Sequence, residues 1–140
     1  MPGYSGTPLG KKLGIKDGFR ASLLHVPDDL GSELRGEFAK CQIHTLKTPG
    51  LDFIFLFAKS RAGMELELAA SAKALAPAGM LWICWPKKSS GVPTDITENI
   101  VRQSGLDAGL VDIKVCAVTE VWSGLKFVIP VKDRPKARKV

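Results

Sequence analysis

Lys87, Lys88, Ser89, Ser90, Gly91, Thr94 and Asp95 stand within nine positions of one another. Two ammonium groups, a set of hydroxyls and the unpaired N–H groups of a helix start can together hold a phosphate or a carboxylate. The run lacks the GxxxxGK[ST] spacing of a phosphate-binding loop, so nothing in it points to nucleoside triphosphate hydrolysis. For the run by itself, the favoured reading is a solvated connector whose serines and threonine cap a helix. Asp95 and Glu98 have the spacing of a capping box, which makes Asp95 a cap rather than a base.

His25 is the second residue with chemistry to offer. It lies at the carboxyl end of a strand-like run, and a reference pKa of ~6.5 suits an imidazole to proton transfer. The sequence gives it no serine, cysteine or carboxylate partner. Asp28 and Asp29 are near in the chain but can cap the next helix instead, so a structural histidine is the favoured reading. His44 has a weaker case. Trp82 reads as core; Trp85 and Trp122 could border a pocket mouth, but core or loop packing is the favoured reading of each. Arg61 and Lys126 add positive charge only if their loops converge. Cys41, Cys84 and Cys116 form no CxxC pair, and with two histidines in the chain they make no zinc constellation. They read as buried thiols in strands, and neither a metal site nor a cofactor is expected.

These residues need elements to carry them. Thr7 and Pro8, after the loop GYSG at 3–6, open a short helix to Leu13. Strands are expected at 20–26, 41–45, 52–58, 79–85, 111–118 and 125–131. Helices fall between them: one from Asp28 with a Leu30, Leu34, Phe38 stripe, one from Ser60 to Ala76 with Glu65 and Glu67 facing out, and one from Asp95 stopped by Gly105. The run Asp52–Ala58 is apolar on both faces, as a strand inside a parallel sheet must be. Strand five should put Val111, Ile113, Val115 and Ala117 on one side and Asp112, Lys114 and Cys116 on the other. The short link between strands two and three sends strand three to the far side of strand one. The short loop TEVWSG makes the last two strands a hairpin.

The chain of 140 residues is 45% hydrophobic and carries a formal charge of +6. From 20 basic and 14 acidic residues, the tail 132–140 takes five and one, leaving 15 and 13 in a nearly neutral body over 1–131. A solvated end is the ordinary reading of that tail, and nucleic acid is not an expected partner. No apolar run approaches the ~20 residues of a membrane span, and the first residues lack a secretory core, so a cytoplasmic protein is expected.

The segment ALAPAGMLWICWPK resembles the late part of the class I methyltransferase fold, in which a helix, a proline–glycine turn and a strand precede a further helix and a terminal antiparallel hairpin. The element order from Asp52 to Val131 matches that pattern. GYSGTPLGKKLGI, WPKKSSGVPTDITE and VDIKVCAVTEVWSGLKF look closer still to a bacterial domain-of-unknown-function family with a Rossmann-like fold, which brings no activity with it. The methyltransferase resemblance implies S-adenosylmethionine, a glycine loop after strand one and a carboxylate after strand two. Here strand one runs into His25, Val26, Pro27, Asp28 and Asp29, and strand two ends in Thr45, Leu46, Lys47 and Thr48. The expectation is therefore an α/β, Rossmann-like three-layer domain with a mostly parallel six-stranded sheet. The preferred function is a non-catalytic or regulatory module whose partner is a small anion, with an anion site at the loop Lys87–Asp95, or another protein. The alternatives are an enzyme acting on a small acidic substrate, with His25, Lys87 and Lys88 in its site, or a divergent methyltransferase.

Overall fold

The computed structural model describes residues 8–134. The loop at 3–6, Thr7 as a cap, the side chain of Asp29 and the tail from residue 135 lie outside the described residues.

The strands are β1 (Arg20–Leu24), β2 (Gln42–Ile43), β3 (Leu51–Phe57), β4 (Leu75–Pro86), β5 (Val111–Ala117) and β6 (Trp122–Val128), and the helices are α1 (Leu9–Leu13), α2 (Ser32–Phe38), α3 (Arg61–Ala74) and α4 (Glu98–Asp107). They form a six-stranded sheet in the order β2-β1-β3-β4-β6-β5. β1 to β4 are parallel, and β6 runs antiparallel between β4 and β5. β3 thus lies on the far side of β1 from β2, and the last two strands form the expected hairpin.

β3 is the spine because both its faces are apolar. Phe53, Phe55 and Phe57 look toward α1 and α2, where Phe38 packs 5.6 Å from both Phe53 and Phe55. Ile54 and Leu56 look the other way, onto Met64 and Leu68 of α3 and Val101 of α4. Leu30, Leu34 and Phe38 are buried as one stripe, as the four-residue spacing requires. Trp82 is fully buried, and its indole N–H donates to the Leu13 carbonyl at 2.9 Å, which settles its polar atom under α1.

The differences from the sequence reading have local causes. Residues 28–30 form a 3-10 turn, and α2 begins only after Gly31, with no side-chain cap from Asp28. α3 ends at Ala74, and β4 already pairs at Leu75 against Leu51. Gly79 then lies where a Cβ would stand 2.5 Å from the Leu51 carbonyl, so glycine lets β3 and β4 close over a register shift. Gly105 does not end α4: a Cβ there would fall 2.0 Å from the Phe127 ring, and the left-handed residue after the helix is Gly109. Gly105 serves close helix–sheet contact. Asp95 does not cap α4 either, since Thr97 accepts the Ile100 N–H in that role.

β5 departs from its alternation. A register shift between Asp112 and Lys114 leaves Ile113 as the extra residue of a bulge. Asp112 faces α4, where Arg102 reaches it at 3.0 Å, while Lys114 and Cys116 turn to the opposite face. Ile113 and Val115 are about half exposed on this edge strand rather than buried. Cys84 is buried, but Cys41 precedes β2 and is, like Cys116, only half-buried.

Candidate functional site

In an open α/β sheet, ligands collect beyond the carboxyl ends of the strands, where the chain leaves neighbouring strands in opposite directions. Here that point is between β1 and β3, because β1 connects outward to β2 while β3 continues inward to β4. A cleft of about 420 Å³ opens there, lined by His25 and Pro27 after β1, by Phe57, Ala58, Lys59 and Ser60 at the end of β3, by Gly63 and Glu67 of α3, and by Trp122 at the start of β6.

His25 takes a left-handed backbone with φ of 57°, the one such non-glycine among the described residues. A side chain in this conformation is uncommon and is retained where the surroundings hold it. What holds it is Glu67: Nε2 lies 2.9 Å from both carboxylate oxygens. Two acceptors at one nitrogen require that nitrogen to carry a proton, so in the neutral ring Nδ1 is the acceptor. The imidazole is 61% exposed and Glu67 28% exposed, so the pair is worth at most about 1 kcal/mol of stability, and its significance is positional. The missing carboxylate partner of His25 was in the sequence all along, on a helix face read as outward. Only the packing of α3 against β3 and β4, with β1 paired beside β3, brings it across 42 positions.

The α3 N-terminus forms the cleft floor. Ser60 Oγ accepts the Gly63 N–H at 3.1 Å, and a Cβ on Gly63 would stand 2.9 Å from that oxygen, so glycine keeps the cap intact. Asp95 Oδ1 accepts the Arg61 N–H at 2.7 Å, and Thr94 Oγ1 donates to the Lys59 carbonyl at 2.6 Å. Thr94 and Asp95 are therefore braces for the floor, arriving from the loop before α4. On the wall, Trp122 meets Phe57 edge-on with ring centroids 5.1 Å apart. Trp85 is buried on the opposite face of the sheet, against the α3 and α4 side.

The loop after β4 stands next to this cleft without lining it. Lys87 donates its N–H to Val121, the neighbour of Trp122, at 2.7 Å. Lys88–Ser90 make a single 3-10 turn ended by left-handed Gly91. Ser90 Oγ donates to the Lys87 carbonyl at 2.7 Å and accepts from Val92 N–H, which uses that hydroxyl locally. Ser89, Lys88 and Gly91 are exposed, and none of the five residues from Lys87 to Gly91 touches the cleft. The structure thus splits the candidate set, with Thr94 and Asp95 going to the α3 floor and Lys87–Gly91 to the rim beyond Trp122. Arg61 pairs with Glu65 at 3.2 Å, and Lys126 lies elsewhere, opposite Trp82 on β6. Among the described residues no three His, Cys, Asp or Glu side chains group as a metal site, and no helix is long and apolar enough to cross a membrane.

No family model and no curated protein matches the chain. Solved structures do. A SAM-dependent methyltransferase from Aquifex aeolicus aligns with a TM-score of 0.60 at 16% identity, over 85% of this chain and 87% of that one. A TehB-like SAM-dependent methyltransferase from Corynebacterium glutamicum gives 0.56 at 12%, over 86% and 85%. The magnesium protoporphyrin IX methyltransferase of Synechocystis with bound SAH gives 0.57 at 9%, over 86% and 78%. At such identities the likeness is one of fold: this chain has the α/β, Rossmann-like fold of class I methyltransferases, with a mixed sheet that includes an antiparallel strand pair.

That fold implies S-adenosylmethionine, and the residues here do not fit its usual seat. After β1 the left-handed turn is present, but it carries an imidazole clamped to Glu67, followed by Pro27, where bare glycine backbone would admit the cofactor. After β2 come His44 and Thr45, and no carboxylate stands there for ribose hydroxyls.

Proposed function

We propose that this chain is an enzyme of methyltransferase fold whose reacting centre is the β1–β3 cleft, with His25 as general base and Glu67 as the residue that holds it. The observation that carries this is the bidentate His25–Glu67 contact at the switch point of the sheet. Glu67 fixes the tautomer and ring plane and stabilises the imidazolium that forms when Nδ1 takes a proton. The aromatic wall of Phe57 and Trp122 supplies apolar contact for the body of a small substrate, and the hydroxyl or amine to be deprotonated turns toward His25. This reading supersedes the non-catalytic module. Where the module reading rested on the lack of a glycine loop after β1, the same turn carries a histidine paired with a carboxylate. Half-buried Lys87 and exposed Lys88, in the loop that is hydrogen-bonded to Val121 next to Trp122, add positive charge that would draw an acidic substrate toward the cleft.

The test is a screen of small hydroxyl, amine and carboxylate compounds by protein-observed NMR, followed by turnover of the hits. Hits are expected to move the Trp122 indole and His25 ring signals, and His25→Gln is expected to slow turnover by about 10²-fold or more. Hits that bind only away from these signals, or turnover unchanged in His25→Gln, remove the reading. S-adenosylmethionine belongs in the same panel. Saturable binding that shifts Trp122 and is lost with its demethylated product in competition replaces the present reading with methyl transfer.

A further inference from the structure

The bulge in β5 does something that regular pairing would not. Unbroken, the register from Val111 opposite Val128 and Asp112 opposite Phe127 would continue with Ile113 opposite Lys126 and Lys114 opposite Leu125, on the α4 side. The extra residue instead places Lys114 directly opposite Lys126, with Lys126 opposite Trp82 in the next strand. Directly opposed residues of an antiparallel pair share a face and bring their Cβ atoms close, so two like charges there repel. The face is that of α1. Lys12, near the end of α1, and Lys114 both act on the Cys116 thiol in the adjacent row, which burial pushes up and these two charges hold down. Lys126 is half-buried, and burial together with Lys114 lowers its ammonium pKa. No ion pair among the described residues takes Lys12, Lys114 or Lys126.

We propose that the β5–β6 face beside α1, where the bulge sets Lys114 against Lys126 and α1 brings Lys12 to the same side, is a binding site for a small, multiply charged oxyanion such as a phosphorylated metabolite. A bulge that re-aims a side chain belongs to the devices sheets use next to functional sites. Lys114 and Lys126, opposed on one face and in no ion pair among the described residues, cost stability until an anion arrives, and each charge-assisted contact then contributes more than a neutral hydrogen bond. This site is separate from the β1–β3 cleft and from the loop Lys87–Gly91.

The probe is inorganic pyrophosphate, with inorganic phosphate as the smaller arm, added to the full chain at low salt. Binding is followed by amide NMR and by melting temperature. Pyrophosphate is expected to shift amides of α1, β5 and β6, to raise the melting temperature, and to bind more tightly than phosphate. Lys114→Gln is expected to melt higher than the unmodified chain in plain buffer, because a repulsion is removed, and to weaken pyrophosphate by about tenfold. Lys12→Gln should weaken it without the stability gain. No shift in the unmodified chain, or an undiminished response in Lys114→Gln, overturns the proposal. So does a response lost in Lys87→Gln, which moves the anion to the rim loop. A short oligonucleotide that binds and is not displaced by pyrophosphate overturns it as well.

Discussion

At the scale of single residues, His25 and Glu67 are each ordinary and become chemical only as a pair. Neither contributes much to stability at its exposure. Glu67→Gln should therefore leave the melting temperature within about 2 °C while it loosens the imidazole. The signature is an NMR one: the His25 ring nitrogens should report a mixture of tautomers in place of the single Nε2–H form. An unchanged tautomer in Glu67→Gln would remove Glu67 as the holder. The cysteines separate by environment in the same way. Burial pushes the Cys84 thiol far up from the ordinary value of 9.0, and it is closed to solvent. Brief alkylation of the native protein at neutral pH should add at most two groups, on Cys41 and Cys116, and the third only in denaturant. The sign of the pH effect follows. Above about 9.0 an unfolded chain gives up the Cys84 proton and the folded chain keeps it, so stability falls as the pH rises through and beyond that range.

At the scale of elements, two helices owe their placement to residues that pattern alone misreads. Gly105 sits inside α4 against Phe127 with no room for a Cβ. Gly105→Ala improves intrinsic helix propensity yet should destabilise the protein by roughly 1–3 kcal/mol, because helix and sheet must separate. A thermal melt settles it, and a higher melting temperature would mean the ring simply turns aside. Asp95 caps α3 from a distance, through Arg61 N–H at 2.7 Å, and ties the loop before α4 to the cleft floor. Asp95→Ala should cost about 1 kcal/mol and raise amide exchange at Arg61–Gly63. Exchange raised at the start of α4 instead would return Asp95 to the cap role that its spacing with Glu98 first suggests. In β5 a single extra residue reverses the parity of everything after it, which is why the alternation of Val111 to Ala117 describes neither face.

At the scale of the whole molecule, the fold and the site part company. The sheet order, the two helical layers and the terminal antiparallel pair are those of class I methyltransferases, while the turn after β1 holds an imidazole and the end of β2 lacks an acid. A scaffold of this kind presents a crevice at its switch point whatever chemistry lines it, so the crevice persists when the cofactor loop does not.

What the residue order decided by itself was whatever depends on neighbours in the chain. The buried stripe of α2, the two-faced apolar run of β3, the Ser60 cap of α3, the hairpin of β5 and β6 and the placement of β3 beyond β1 all follow from periodicity, breakers and link length. What only the tertiary structure decided was whatever joins distant positions. Glu67 reaches His25 across 42 residues, Asp95 reaches α3 across 34, Phe127 claims the space beside Gly105, and a bulge sets Lys114 against Lys126. Local patterns encode which face of an element is apolar. They carry no record of which polar side chain on another element will stand 3 Å away once those apolar faces have closed.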